Sequence, residues 1–314
     1  MIIDLPDTTV SQVAKHLVKV REEGGAVALG RVLTLVISAR NGVAEAAIDA
    51  ANDASREHPM RVIVLTTGDG ESRLDAQIRV GGDAGASEVV VLRAYGDAAS
   101  NEESLVTGLL LPDAPVVAWW PEEAPLAPSE SPLGRIAQRR ITDAATTSDV
   151  RDRLGLLGET HAPGDTDLAW TRLTHWREQL AAVLDQPPYD AVTDVEVRGA
   201  AASPSTALLA AWLQMALDVP VHWSYEVPEE WHEGIKSVRL TRAGGDILLE
   251  RPSPGIAVLT QPNQPDHDLH LPRRTLRECL AEELRRLDPD VLYGRVITEG
   301  WERLGPPAKA RTRI

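Results

Sequence analysis

The strongest pattern of apolar and polar positions lies between residues 31 and 67. The runs RVLTLVIS and MRVIVLTT are almost continuously apolar, as strands buried on both faces are. The segment between them, GVAEAAIDAANDASREH, repeats apolar residues at steps of three and four, the period of a helix with one buried side. A helix that joins two such strands predicts a right-handed βαβ crossover in a parallel sheet. The residues on its buried side are Val43, Ala46, Ala47, Ala50 and Ala54.

The same two patterns continue on both sides of this unit. Upstream, TTVSQVAKHLVKVREEGG predicts an amphipathic helix. Downstream, LDAQIRV, SEVVVLRAY and APVVAWW predict strands, and NEESLVTGLLLPD predicts a helix. The stretch Pro121–Pro132 is rich in proline and polar residues, so we expect a surface loop there. LGRIAQRRITDA then predicts a short helical segment, and the polar residues 143–167 predict a linker.

The second half of the chain again alternates helices with strands. DLAWTRLTHWREQLAAVLD and PRRTLRECLAEELRRL have the period of amphipathic helices. Ser203 followed by Pro204 marks the start of a third helix, which contains STALLAAWLQMALD. VTDVEVRG and GIAVLT have strand patterns, and the AGG between SVRLTR and DILLE indicates a tight hairpin.

These elements predict an α/β fold with two α/β domains, residues 1–150 and 165–304, each with a mostly parallel or mixed sheet flanked by helices. SLVTGLLLPDAPVVAWW and TALLAAWLQMALDVPVHW share the order helix, Asp, Pro, apolar strand, Trp. This likeness indicates either a repeated α/β unit or a chance similarity between apolar helix-to-strand junctions. We expect the tail, residues 305–314, to be disordered.

Composition narrows the class of protein. The 314 residues are 43% hydrophobic and 25% charged, which suits a globular protein with substantial cores. Acidic residues number 47 against 32 basic ones, so binding to polyanionic nucleic acid is disfavoured. The N-terminus lacks the basic region of a signal peptide, and Arg31 interrupts the longest apolar run, so we expect a cytoplasmic protein without membrane contact. The single cysteine, Cys279, excludes an internal disulfide.

A glycine-rich stretch, RVGGDAG, is the first candidate for a ligand loop. Dinucleotide-binding loops have the spacing G-x-G-x-x-G directly after a strand and at the start of a helix. Here the glycines lead into SEVVVLRAY, which is rich in β-branched residues, and the spacing differs. A bend between two strands is therefore the favoured interpretation, and a phosphate-binding loop is the alternative. The candidate loop residues are Gly81, Gly82, Asp83 and Gly85.

Two further groups are candidates for contact with a partner. Trp119 and Trp120 are adjacent in a predicted strand, so their side chains point to opposite faces. Either one indole fills the core while the other faces a cleft or partner, or both are buried. Arg135, Arg139 and Arg140 follow the proline-rich loop, and the first two are spaced to share a helix face. They suit a phosphate or an acidic partner surface, although a solvated charged face also explains them.

Catalytic and metal-binding signatures are missing from the sequence. It contains no P-loop, no G-x-S-x-G, no H-E-x-x-H and no kinase motif. His267 and His270 occur in PDHDLH, a proline-flanked stretch that we expect to be a solvated loop. We therefore predict no catalytic residue, no cofactor and no metal.

Long ordered blocks of the chain resemble one family. These blocks are REEGGAVALGRVLTLVI, ANDASREHPMRVIV, SRLDAQIRVGGDAGASEVVVLR, LLLPDAPVVAWWP, GRIAQRRITDA and PGDTDLAWTRLTHWREQLAAVLDQPP. They are similar to OpcA, the glucose-6-phosphate dehydrogenase assembly proteins, over about residues 4–300. The resemblance implies a non-catalytic partner that binds this dehydrogenase and promotes its active oligomer in the oxidative pentose phosphate pathway. It also implies, for the cyanobacterial branch, a cysteine-based redox control that a chain with only Cys279 cannot provide as an internal dithiol.

Two hypotheses follow for the function of the chain. The first is the assembly partner that the family resemblance implies. The second is a small-molecule enzyme or sensor that binds a phosphorylated metabolite at the Gly81–Gly85 loop, with Arg79 or the arginines between residues 135 and 140 as anion ligands. The missing catalytic signatures favour the first.

Overall fold

The computed structural model describes residues 1–23, 32–40, 44–80, 88–201, 203–225, 227, 231 and 234–308. Contacts divide the chain into two compact units. Unit 1 contains Met1–Thr146, Gly164–Thr166 and Leu276–Pro289, and unit 2 contains Thr147–Pro163, Asp167–Thr275 and Asp290–Ile314. This division differs from the two contiguous segments expected above, because a late segment of the chain belongs to unit 1.

The strands of the described residues form two sheets, one of eight strands and one of six. In chain order the strands are β1 (Ile2–Leu5), β2 (Leu33–Ser38), β3 (Met60–Gly68), β4 (Arg73–Val80), β5 (Glu88–Tyr95), β6 (Val116–Trp119), β7 (Arg139–Thr142), β8 (Asp165–Asp167), β9 (Val192–Gly199), β10 (Val221–Ser224), β11 (Ile235–Arg242), β12 (Ile247–Ser253), β13 (Gly255–Thr260) and β14 (His267–Leu271).

The helices of the described residues vary from single turns to four turns in length. In chain order they are α1 (Val10–Glu23), α2 (Ala44–Ala54), α3 (Glu102–Thr107), α4 (Pro132–Arg135), α5 (Val150–Glu159), α6 (Leu168–Thr171), α7 (Thr174–Leu184), α8 (Pro204–Leu217), α9 (Leu276–Arg285), α10 (Val291–Arg295) and α11 (Trp301–Arg303). A π-helical turn at Val296–Gly300 joins the last two. Among the described residues, no helix is both long enough and apolar enough to cross a bilayer.

The eight-stranded sheet has the order β1-β4-β5-β3-β2-β6-β7-β8. Its central strands β5, β3, β2, β6 and β7 are parallel, while β4 and β1 pair antiparallel at one side. Numbered among themselves, the parallel strands run 3-2-1-4-5, the order of doubly wound nucleotide-binding folds. The predicted βαβ unit is β2, α2 and β3, and it is confirmed.

Helices cover both faces of the central strands, which explains why β2 and β3 are almost continuously apolar. On one face, α1, α3 and α4 pack on a cluster that includes Ile63 and Trp120. Another layer contains α2 and α9, which pack against each other in unit 1.

The six-stranded sheet of unit 2 has the order β10-β9-β11-β12-β13-β14. Only β10 and β9 pair in parallel among its described strands; the remaining pairs are antiparallel. The β11–β12 hairpin is confirmed. The mixed α/β class is also confirmed. The likeness between the two halves is local. In each half a helix leads into a short strand that contains a buried tryptophan: α3 precedes β6 with Trp119, and α8 precedes β10 with Trp223.

Two local predictions are wrong, and a third concerns a tail of which only the first residues are described. The polar stretch expected to be a linker contains α5, which buries Val150, Leu154 and Leu157. His267 and His270 lie on an edge strand, β14, instead of in a loop. Residues 305–308 of the expected disordered tail contact Trp223, whose indole N–H donates to the Gly305 carbonyl at 2.8 Å and whose own carbonyl accepts from the Ala308 amide. Residues 309–314 lie outside the described part.

Candidate functional site

The carboxyl edge of the parallel sheet in unit 1 is where a ligand or contact site is expected. Strand order reverses between β2 and β6, which are parallel neighbours with Ile37 beside Trp119. In doubly wound folds, ligands bind in the crevice beyond the carboxyl ends of the strands at this reversal. The residues that follow β2 and β6 therefore define the candidate site.

Charged side chains from the two loops meet at this position. Arg40 follows β2, and Glu122 and Glu123 follow β6. The Arg40 guanidinium lies 3.4 Å from an oxygen of each glutamate, and the Glu122 carbonyl accepts from the Thr146 hydroxyl. The Arg40 side chain is 64% exposed, so these ion pairs are solvated and individually weak. Among the described residues of this edge, two carboxylates face one guanidinium, an arrangement that disfavours a pyrophosphate.

The two tryptophans at the end of β6 are both buried. Trp120 joins the apolar cluster under α1, α3 and α4, whereas Trp119, the preceding residue, points to the opposite face and is inaccessible to solvent. Of the two alternatives from the sequence, the structure therefore supports burial of both. The Trp119 indole N–H has no hydrogen-bond acceptor among the described residues. Neither indole offers a contact surface in this conformation.

A shallow depression of about 520 Å³ lies at the carboxyl ends of β3 and β5. Its acidic groups are Asp69 and Glu102, and burial raises the pKa of the Glu102 carboxyl. No lysine or arginine belongs to its described lining, so an anionic ligand is disfavoured there. The lining residues are Thr67, Gly68, Asp69, Gly96, Ala99, Ser100, Glu102 and Pro132.

The three candidate arginines do not form one cluster. Arg135 ends α4, but Arg139 begins β7, so the predicted shared helix face is wrong. Arg139 and Arg140 are buried at the amino end of β7, where Arg139 pairs with Glu283 and Arg140 pairs with Asp165. Both therefore hold unit 1 together and present no charge to a partner.

Arg135 remains on the surface. Its side chain is 56% exposed, and it donates to the Glu130 carbonyl at 2.7 Å and lies 3.4 Å from the Glu103 carboxylate. Leu126, in the proline-rich loop that precedes Arg135 in the sequence, is 71% exposed. Of the five residues proposed as partner contacts, Arg135 is the one that is accessible.

The glycine loop itself, with Gly81, Gly82, Asp83 and Gly85, lies outside the described residues. The strands on either side, β4 and β5, form an antiparallel pair from Arg73–Tyr95 to Val80–Glu88. Arg79, the anion ligand proposed with this loop, donates two hydrogen bonds to Glu45 at 2.7 and 2.8 Å. The guanidinium holds the pKa of the Glu45 carboxyl below its ordinary value.

The described part of the chain contains neither a cluster of metal ligands nor an exposed thiol. No three His, Cys, Asp or Glu side chains there come close enough to hold a metal ion. Cys279 is buried on α9 beside Leu280, the position of an unreactive core thiol. Sequence reasoning missed the Arg40–Glu122 arrangement, because single charged residues in two distant loops carry no local pattern.

Comparison with known proteins gives a family for most of the chain. Residues 51–159 match the family model for the N-terminal domain of the glucose-6-phosphate dehydrogenase subunit, and residues 163–297 match the model for its C-terminal domain. Both models carry the OpcA family label. A comparison with curated proteins found no match.

Several solved structures match the chain at low identity and with TM-scores below 0.5. Glucose-6-phosphate 1-dehydrogenase from Mycobacterium avium has 12% identity and a TM-score of 0.45, covering 87% of this chain and 91% of its own. UDP-N-acetylglucosamine 3-dehydrogenase from Acidithiobacillus ferrooxidans has 10% identity and a TM-score of 0.41, covering 86% and 96%. An oxidoreductase from Thermotoga maritima has 10% identity and a TM-score of 0.41, covering 86% and 94%.

Proposed function

Because the chain belongs to the OpcA family of glucose-6-phosphate dehydrogenase assembly proteins, we propose that it is a non-catalytic partner of that dehydrogenase. It binds the enzyme in the cytoplasm and promotes its active oligomer, and so acts on the oxidative pentose phosphate pathway. The observation that carries this proposal is the pair of family matches, which together span residues 51–159 and 163–297.

The mechanism is preferential binding. A protein that binds the assembled form of an enzyme more tightly than its separated protomers shifts the equilibrium toward the assembled form. Activity then rises without any chemical step on the partner, because more of the enzyme is in its active state. The size of the shift is limited by the difference between the two affinities.

The arrangement of charged groups in unit 1 supports a partner role over a phosphate-binding role. Arg79 is engaged by Glu45, and Arg139 and Arg140 are engaged by Glu283 and Asp165. The arginines proposed for a phosphorylated metabolite therefore already have carboxylate partners within the unit. The acidic edge at Glu122 and Glu123 also disfavours a phosphate.

We propose that the contact surface includes Arg135 and the adjoining proline-rich loop. The Arg135 side chain is exposed, and arginine is enriched at protein interfaces relative to the rest of a surface. Among the described residues, Arg135 contacts one surface carboxylate and one carbonyl, and it can exchange those contacts for a partner's carboxylate at small cost.

Enzyme kinetics test the proposal. Glucose-6-phosphate dehydrogenase is assayed over a range of both substrates with increasing amounts of the full chain, and the chain alone is assayed under the same conditions. We expect saturable activation of the dehydrogenase and no turnover by the chain alone. Unchanged kinetics at a large excess of the chain, or substrate turnover by the isolated chain, would overturn the proposal.

A further inference from the structure

The last strand of the six-stranded sheet, β14, holds the two histidines of the PDHDLH stretch. It covers His267–Leu271 and pairs antiparallel with β13. It ends the strand order, so among the described strands none pairs with its outer side. His267, Asp268 and His270 are exposed and Leu269 is half-buried, so solvent reaches the strand.

The outer side of β14 is suited to pairing with another strand. The backbone N–H and C=O groups on the free side of an end strand form a ready template for a second chain, and proteins that avoid such pairing often place lysine or proline in the strand. The sequence of β14 is HDLHL, which contains neither. Prolines lie just outside it, at Pro265 and Pro272, and they limit the length that can pair. At the opposite end of the sheet, β10 is engaged by the chain itself, because the Trp223 carbonyl accepts from the Ala308 amide.

The order of side chains along β14 suits pairing with a second copy of the same strand. When two copies run antiparallel about a two-fold axis through Leu269, Asp268 of each copy lies opposite His270 of the other. A carboxylate and an imidazole in this position form a hydrogen bond, which becomes an ion pair when the imidazole is protonated. The symmetry repeats this contact, so each copy supplies one carboxylate and one imidazole.

Other registers of the same pairing fit less well. Opposite residues of antiparallel strands share a face, so the two-fold axis has to pass through a residue. An axis through Asp268 sets two carboxylates against each other, which is unfavourable. An axis through His270 sets Asp268 against Pro272, which has no N–H to donate. Axes nearer the ends of the strand pair fewer residues, so the axis through Leu269 is favoured.

The neighbouring strand β13 supports this register. On one face of the sheet, Ile256 lies beside His270 and Val258 lies beside Asp268. Both neighbours are apolar, so β13 places no charge beside the carboxylate and imidazole that pair across the axis. On the other face, the half-buried Leu269 meets Leu269 of the second copy, and both lose exposed apolar area.

We propose that the chain forms a symmetric dimer by antiparallel pairing of β14 with β14 of a second copy. The two six-stranded sheets then continue into each other across the axis. The paired segment is short, so the dimer is weak and forms reversibly. This inference concerns unit 2 and a second copy of the chain, and it does not rest on the dehydrogenase.

Sedimentation of the full chain alone tests the dimer. Between about 1 µM and about 500 µM, the range in which weak complexes form, the mean mass should rise from that of one chain toward that of two. His270→Glu sets a second carboxylate against Asp268 and should weaken association at least tenfold. The double variant Asp268→Lys with His270→Glu exchanges the two charges and should restore association to within about threefold of the unmodified chain.

His222→Glu is the matched control. It makes the same substitution at an exposed histidine of β10, the strand at the other end of the sheet. It should associate as the unmodified chain does. The restored association of the double variant separates a contact across the axis from a loss of folding, because a misfolded strand would not recover when a second residue is changed.

A cysteine at the axis tests the register. The two copies of residue 269 should have their Cα atoms about 4.5 to 5.5 Å apart, within the reach of a disulfide. Leu269→Cys should therefore form a covalent dimer under mild oxidation. His267→Cys, whose two copies would be about 14 Å apart, should do so at least tenfold more slowly. The natural Cys279 is buried and should not compete.

Three results would each overturn the dimer. They are a chain that stays monomeric over the whole concentration range, association that His270→Glu does not weaken or the double variant does not restore, and equal rates of cross-linking for the two cysteine variants. The outcome is separable from the assembly function, because the tests contain no dehydrogenase. Failure of the unmodified, dimerising chain to activate the dehydrogenase would instead count against the assembly proposal alone.

Discussion

The guanidinium of Arg139 on β7 donates to the carboxylate of Glu283 on α9, a residue 144 positions further along the chain. The two side chains are both about 5% exposed, and Glu283 also accepts from the Thr166 hydroxyl at 3.4 Å. This pair ties α9 to the edge of the parallel sheet in unit 1. It explains how a helix from the end of the sequence is held in a unit built from the beginning.

Glu283→Gln leaves the buried Arg139 without its counter-charge. We expect the variant to lose about 3 to 5 kcal/mol of unfolding free energy, the cost of breaking a buried pair by removing one partner. Urea unfolding measures the loss. Glu57→Gln is the matched control, because Glu57 forms an exposed ion pair with Arg285, which also lies on α9. This variant should change the unfolding free energy by no more than about 1 kcal/mol. Equal losses in the two variants would contradict the structural role assigned to Arg139.

Two glycines on α5 should respond oppositely to the same substitution. A Cβ at Gly158 would lie 2.4 Å from the Ile297 carbonyl oxygen, so Gly158→Ala must push the backbone of a neighbouring helical turn. We expect it to destabilise the protein by about 1 to 3 kcal/mol. A Cβ at Gly155 would lie at an ordinary 3.5 Å from the Trp301 indole nitrogen, so Gly155→Ala should stabilise it by about 0.5 to 1 kcal/mol through helix propensity. Thermal unfolding of both variants gives the signs, and a gain for Gly158→Ala would show that α5 packs differently.

The Glu45–Arg79 pair should make stability depend on pH in a defined direction. Arg79 lowers the pKa of the Glu45 carboxyl below its ordinary 4.5, so the folded state holds the proton less tightly than the unfolded state does. The resulting stabilisation is complete above the unfolded value and is lost as pH falls through the folded one. Glu45→Gln should therefore reduce stability modestly at pH 7, since Glu45 is 62% exposed, and the difference should shrink as the pH falls below the ordinary pKa. Urea unfolding of Glu45→Gln and of the unmodified chain across this pH range measures the difference in unfolding free energy. A difference that grows as the pH falls would contradict the prediction.

Much of the fold could be predicted from the sequence, because its signals are local. The apolar runs of β2 and β3 and the helical period between them indicated the βαβ unit, and the AGG turn indicated the β11–β12 hairpin. The helix α5 was missed although Val150, Leu154 and Leu157 have helical spacing, because polar residues dominate that stretch. Its Asp149 cap, which accepts from the Asp152 amide, is the signal that could have found it.

The remaining errors concern contacts between distant positions. The spacing of Arg135 and Arg139 suggested one helix face, but the chain changes from helix to strand between them. That Arg139 is buried against Glu283 depends on the return of α9 to unit 1, which no local pattern encodes.

The proposed contact at Arg135 predicts a charge-dependent affinity for the dehydrogenase. Arg135→Glu should weaken binding about tenfold, as reversal of an interface charge does when it faces a carboxylate. Arg56→Glu is the control, because Arg56 is another exposed arginine of unit 1 that pairs locally with Asp53. The affinity of each variant is measured by binding it from solution to dehydrogenase immobilised on a surface. Equal affinities for both variants would remove Arg135 from the interface.

The most direct test of the assembly function is the oligomer distribution of glucose-6-phosphate dehydrogenase at a dilution where the enzyme alone is largely dissociated. Single-molecule mass measurement with and without the full chain reads this distribution. A partner that prefers the assembled state should move the population to the larger oligomer, with the mass of bound chain added to it. An unchanged distribution at a large excess of the chain, with no added mass, would contradict the account.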